Sequence, residues 1–361
     1  MSHGEAGRTL LVGTQKGLFI AVPARQGWRL EGPHIAGYEV LHFCTPANEA
    51  GVYYAAVRHN IWGAHLYRSE DGGRAWKSLA ATPQHPSGLH ATALKAIWYL
   101  AAAGDRLYAG IDPAGLFYSD DRAASWQPVS ALNEHPSRGS WEPARGGFSV
   151  HSIQVDPGNP ERLWVAVSAG GVFRSEDGGA SWLPANHGVR AENLPEPTPA
   201  TGHNVHRLVM HPARPERLYR QCYHGTWRSD DGGRSWVEIT AGLPGNFGYA
   251  IAVDPRDPDT VYQVPESDSH MRTVVDGRLR VFCSRDGGRS WHSTSQGLPQ
   301  EHAWVTVLRE ALEIDDASPC GIYFGTSGGH LFTSPDAAGS WQLAAGFLPR
   351  ILAVKAVPRA S

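Results

Sequence analysis

The chain has 361 residues, 41% of them hydrophobic and 19% charged, with a net charge of −3. A near-neutral balance without a basic run excludes an electrostatic footprint for nucleic acid or an anionic membrane, and no apolar stretch approaches the roughly 18 residues that span a bilayer. Cys44, Cys222, Cys283 and Cys320 are scattered without a C-x-x-C pair, so they exclude a zinc or disulfide framework and read as isolated thiols in a reducing compartment. The start, MSHGEAGRTLLVG, shows no basic-then-apolar leader, and the cytoplasm is the expected location. Forty-one Gly, 26 Pro and 13 Trp point to many turns and short strands.

In chain order, the first strands are TLLVGT (9–14) and GLFIAVP (17–23), followed by a worn unit that keeps only Trp28. From there a unit S-x-D-x-G-x-x-W recurs. It is complete at Ser69–Trp76, Ser175–Trp182, Ser229–Trp236 and Ser284–Trp291. At Ser119–Trp126 and Ser334–Trp341, Ala123 and Ala338 replace the second glycine. The tryptophans at 28, 76, 126, 182, 236, 291 and 341 set a period between 48 residues (28 to 76) and 56 residues (126 to 182). Such a period means a repeat architecture. Each unit reads as four short strands; in the fourth these are HSIQVDP, RLWVAVS, GVFRSE and SWLPA. The Pro-rich connector between the first two recurs as DPGNPERL, HPARPERL and DPRDPDTV. The C-terminal ILAVKAV (351–357) reads as an inner strand without a unit of its own, matching a first unit that lacks one.

The box joins the third and fourth strands of each unit. Its aspartate suits an Asx-turn that accepts hydrogen bonds from the turn's own amides, its second glycine a positive φ, and its tryptophan an apolar gap. A catalytic acid is not needed six times at equivalent positions, so these aspartates are expected to be structural.

The six boxes resemble the BNR or Asp-box repeat of sialidases, xyloglucanase-type glycosidases, sortilin-type receptors and a photosystem II assembly factor, over residues 9–358. The resemblance implies an all-β fold, a seven-bladed β-propeller of four-stranded antiparallel blades forming a single domain over 1–361. Its ring is expected to close by pairing 351–357 with the first unit. GTQKGLF, DPAGLF and YFGTSGGHLF are also similar to a bacterial group labelled glycosyl hydrolase or exo-α-sialidase. The F-R-I-P motif of sialidases is missing from LLVGTQKGLFIAVPARQGW, and the sequence nominates no set of three arginines with a tyrosine nucleophile.

The long insertions, 81–94, 131–148, 187–204 and 265–281, all fall in connections on the face opposite the boxes, which marks the functional face. Aligning the inner strands on their connectors places Lys95, His151, His206, Tyr249 and Glu310 at the entrance of a central tunnel; a slip of one residue would put Arg309 in place of Glu310. Glu310, His151, His206, Asp112 and Glu266 are the candidate catalytic residues. Lys95, Tyr249, His224, Arg309, Trp141 and His34 are candidates for ligand binding. Three readings stay open. A glycosidase would draw its two carboxyls from Glu310, Asp112, Glu266 and Glu142. A metal-dependent hydrolase or lyase would hold a divalent ion on His151, His206 and Glu310, although no local ligand spacing marks them. A non-catalytic scaffold would hold a protein partner on a broad apolar patch. The first, acting on a small polar or carbohydrate-like ligand, is the reading adopted; a polar tunnel filled with water is the bland alternative.

Overall fold

The computed structural model describes residues 8–86, 93–143, 147–191 and 196–359; 87–92, 144–146 and 192–195, within three of the insertions, lie outside the described residues. Each repeat folds into a four-stranded antiparallel sheet, and seven such sheets form the propeller. In blade four, Val150–Asp156 is innermost, followed by Asn159–Val167, Gly171–Ser175 and the two-residue outer strand Leu183–Pro184. Leu163 to Val167 are all buried. Neighbouring blades cover both faces of that strand, so it reads as a continuous apolar run instead of an alternation.

The ring closes as the repeat count requires. Ile351–Pro358 pairs antiparallel with Arg8–Thr14, with Arg8 opposite Pro358 and Thr14 opposite Ile351, and becomes the inner strand of blade one. Closure gives blade one its fourth strand, so that all seven sheets are four-stranded. The apolar core runs between blades: Trp164 and Val172 of blade four meet Leu208, Leu218, Trp227 and Trp236 of blade five.

The box turns satisfy themselves. In blade five, Asp231 Oδ1 accepts from the Ser229 hydroxyl and the Ser235 amide, each at 2.8 Å, and Oδ2 accepts from the Ser235 hydroxyl at 2.6 Å. The Trp236 indole donates to the Ala185 carbonyl of blade four at 2.9 Å, so the box tryptophan ties its blade to the one before. Ala123 and Ala338 adopt φ of 67° and 69° where the other boxes carry glycine, a strained conformation for a residue with a Cβ.

One irregularity of the inner strands positions the site. Pairing with the second strand skips a residue between Val40 and His42, Ile97 and Tyr99, Val150 and Ser152, Val205 and Arg207, and Gly248 and Ala250. The closing strand does the same between Ile351 and Ala353. The extra residues are therefore Leu41, Trp98, His151, His206, Tyr249 and Leu352. In blade seven the same spacing from the strand Leu312–Ile314 falls on Glu310, which bridges to Ala353. A bulge breaks the strict alternation of a strand, so two successive side chains can serve one space.

Candidate active site

Two cavities share the centre of the ring. The upper one, about 330 Å³, is lined by the bulge residues Leu41, Trp98, Tyr249, Glu310 and Leu352. The lower one, about 250 Å³, is lined by residues that follow bulges, His42, Tyr99, Arg207 and Ala353, together with Glu313 and Lys355. Glu310 lines both.

Glu310 is buried and held from one side. Its Oε2 accepts from Arg207 Nη1 at 2.7 Å and lies 3.5 Å from His42 Nε2, while its Oε1 has no hydrogen-bonding partner. Burial pushes the carboxyl up, and Arg207 and Arg309 pull it back. His42 Nδ1 accepts from the Leu100 amide at 3.2 Å. Burial, helped by Arg207 and Lys355, keeps the imidazole well below its ordinary pKa. A neutral His42 with Nδ1 occupied carries its proton on Nε2, directed at Glu310. The result is a fixed carboxyl group with one oxygen left without a partner.

The upper cavity is rich in arginine. Arg58 is paired with Glu39 through Nε at 2.9 Å. Arg272, Arg309 and Arg350 also line the cavity, and none has a carboxylate within 4.0 Å among the described residues. Arg309 lies over the Trp98 ring at 5.6 Å, and Arg272 Nε donates to the Ser269 carbonyl at 2.9 Å. The Tyr249 phenol is raised by burial, against the pull of Arg272, Arg309 and Arg350.

Glu266 stands beside this cluster, fully buried at the end of the strand Val261–Glu266. Neither of its carboxyl oxygens has a hydrogen-bonding partner. Burial pushes it up to about 8, opposed first by the nearby Thr306 hydroxyl and then by Arg272 and Arg350. At neutral pH it therefore keeps its proton. Asp112 occupies the equivalent register in blade three: it sits opposite Ala96 as Glu266 sits opposite Phe247, each partner two residues before a bulge. Burial raises Asp112 too, with Lys95 acting against the shift.

The ring read from the sequence is corrected in blade two, where Leu41 and not the aligned Val40 is the bulge residue, and in blade three. Lys95 is exposed, its amide donating to the Asp112 carbonyl, and Trp98 takes the entrance position. Blade three turns from first to second strand through Gly104 and Asp105, with no proline to anchor the alignment. Three ligand candidates lie elsewhere. Trp141 is buried in the apolar cluster of blades three and four, 5.0 Å from the Phe173 ring. His34 ends the outer strand Trp28–His34, as far from the channel as a blade extends. His224 packs edge-on to Tyr223 in the turn of blade five and does not line the upper cavity.

His151 and His206 are present but neutral. His206 Nδ1 lies 2.7 Å from the Gly248 carbonyl and its ring lies 4.7 Å from that of Tyr249; burial pushes it down to about 3. His151 is fully buried and also held well below its ordinary value, by burial and then by Arg309. They form no ligand set with Glu310, whose neighbours are Arg207 and His42. Among the described residues no group of three or more His, Cys, Asp and Glu side chains is placed to hold a metal ion. Sequence reasoning missed Arg207, Arg272 and Arg350. Arg207 directly follows His206, and only the bulge puts both toward the channel.

A seven-bladed propeller with an arginine-rich channel mouth and two inequivalent buried glutamates is the class that fold and site define. No family model matches the chain. It is 26% identical over 272 residues to the xyloglucanase Xgh74A of Acetivibrio thermocellus, a match covering 66% of this chain and 30% of that protein. The chain thus spans less than a third of the length of the curated relatives it matches. The GH74 enzyme of Niastella koreensis aligns with a TM-score of 0.62 at 16% identity, over 96% of this chain and 53% of that one. YCF48 from Cyanidioschyzon merolae aligns at 0.57 and 13% identity over 92% of both chains. The fold is related to that of GH74-type carbohydrate-active enzymes and not specifically to the sialidase group that the boxes resemble.

Proposed function

We propose that the upper cavity is the active site of a hydrolase-like enzyme acting on a small, anionic, carbohydrate-like ligand. The observation that carries this reading is Glu310, a buried carboxyl with one unpartnered oxygen lining an arginine-rich cavity. Glycoside hydrolysis needs a carboxyl that delivers a proton and a carboxylate that attacks or activates water. Glu266, raised to about 8 by burial beside Arg272 and Arg350 but not itself lining the cavity, is the carboxyl proposed for the first task. Glu310, clamped by Arg207 with Oε1 uncommitted, suits the second. Arg272 and Arg350, without carboxylate partners, supply the grip on the ligand's negative charge. The xyloglucanase relatives support a carbohydrate-like substrate class.

The test is a screen of the purified protein against chromogenic glycosides of neutral and carboxylated sugars, with calorimetric binding of the same free sugars. Carboxylated sugars should bind and turn over, and Arg350→Gln should weaken their binding at least tenfold. Equal handling of neutral sugars, unaffected by Arg350→Gln, would remove the anionic reading.

A second reading, binding of a protein partner, is favoured by one observation. Ile61, Trp62, Met271, Trp304 and Phe347 are large apolar side chains left exposed, Phe347 at 99%, and all lie in connections on the loop-rich face. A partner of apolar character would cover them.

A further inference from the structure

Arg220 has no reason to be where it is on grounds of fold alone. It lies mid-strand in Arg214–Cys222, opposite Leu208. The same register in the other six blades is filled by Val12, Ala55, Ala109, Val165, Gln263 and Phe324, none of them charged. Arg220 is nevertheless 0% exposed, inside the apolar seam of blades four and five.

Its guanidinium is only partly satisfied. Nη1 donates to Asn186 Oδ1 at 2.7 Å, and the plane stacks on the Trp236 ring at 4.5 Å. Nε and Nη2 have no partner, and no carboxylate pairs with the group among the described residues. Asn186 is explained without it: its side chain bridges the Val172 amide and carbonyl, as Asn133 bridges those of Leu116 one blade earlier. What remains vacant is the edge of the fork, Nε and Nη2 side by side, which in arginine grips an anion with two parallel N–H donors. His203, within Arg220's field, offers no counter-charge. His203 is buried, 2.7 Å from the Pro199 carbonyl through Nε2, and pushed down to about 4 by burial and by Arg220 itself.

We propose that the Nε–Nη2 edge of Arg220 binds a small inorganic anion of chloride size, buried between blades four and five. A solitary cation in an apolar seam is costly, and an anion that also stays dry offsets that cost. Full burial limits the ligand to a monatomic or equally small ion; a sugar or a phosphorylated metabolite cannot reach it. The proposal is independent of the upper cavity, whose arginines belong to other blades.

The experiment uses the full chain and two readouts. Melting is followed from 1 to 300 mM sodium chloride, with sodium gluconate keeping ionic strength constant, and crystals grown in bromide are examined for anomalous scattering. Tm should rise by about 2–4 °C with chloride. Arg220→Met should erase that rise and Arg350→Gln should leave it, and a bromide peak should sit against the Nε–Nη2 edge. If Arg220→Met fails to fold, the bromide map of the native protein decides alone. Water without bromide on that edge, or a chloride response surviving Arg220→Met, overturns the proposal.

Discussion

The two faces of the ring treat carboxylates in opposite ways. On the box face, Asp231 is wrapped by three donors of its own turn and Asp121 is pulled down to about 2 by hydrogen bonds from Ser125 and Ser119. Beside the channel mouth, burial raises Glu266 to about 8. A carboxylate repeated in every box is held ionised by the donors of its own turn. A buried carboxyl outside the boxes, such as Glu266 or Asp112, is raised by burial. Motif frequency therefore points away from the chemistry in this fold.

The largest expected effect removes both faces together. Deleting residues 350–361 takes away the closing strand and, with Arg350 and Leu352, part of the cavity wall. The truncated chain should lose its cooperative melting transition or melt at least about 10 °C lower; a truncation that melts with the parent would refute closure as the source of stability. Next, Glu310→Gln should lower turnover on an active substrate by about 10³-fold or more. Arg207 loses its counter-charge, so stability should also drop, by about 1–3 kcal/mol. Turnover that falls only in step with the folded fraction would reduce Glu310 to a structural role.

Glu266→Gln sharpens the contrast through pH. The native fold raises this carboxyl from 4.5 to about 8, so the folded protein keeps a proton that the unfolded chain has released across that window. Stability should therefore fall as pH rises from about 4.5 to 8, by on the order of a few kcal/mol. Glutamine cannot titrate, and denaturation across that range should show the slope diminished in the variant. Activity should fall about 100-fold in Glu266→Gln and, in the parent, decline above pH 8. An unchanged slope would place the titration on another group.

On the box face, Asp231→Ala should cost about 1–2 kcal/mol, because the Ser235 amide and two hydroxyls lose their acceptor, with activity per folded molecule intact. Activity lost at constant stability would contradict the division of labour between faces. The smallest effect is expected at Lys95→Ala. An exposed lysine outside the ring should move stability by less than about 0.5 kcal/mol and leave ligand binding unchanged in the same titration.

The fold was legible because its information is local and repeated: the Ser–Asp–Trp spacing sets each turn, and the Pro-rich connectors set register. Where those connectors exist, the alignment puts His151, His206 and Tyr249 on equivalent bulge positions, and of the three only Tyr249 lines the upper cavity. Where blade three replaces the connector with LAAAGD, the alanine run carries no register, and Lys95 was placed in a position that belongs to Trp98. Arg207 was hidden by a sound rule, since strand neighbours normally face opposite sides and a bulge suspends that rule. Arg272 and Arg350 come from an insertion and from the link to the closing strand, neither of which has a counterpart to align with. Unrepeated residues on unrepeated segments converge only in three dimensions.

The clasp between Ile351–Pro358 and Arg8–Thr14 also ties the fold to the site. Without Ile351–Pro358 the circle would stay open after blade seven, whose outer strand ends at Ala345. Leu352 lies on the closing strand and Arg350 directly precedes it, so the wall of the channel mouth is completed only when the clasp forms.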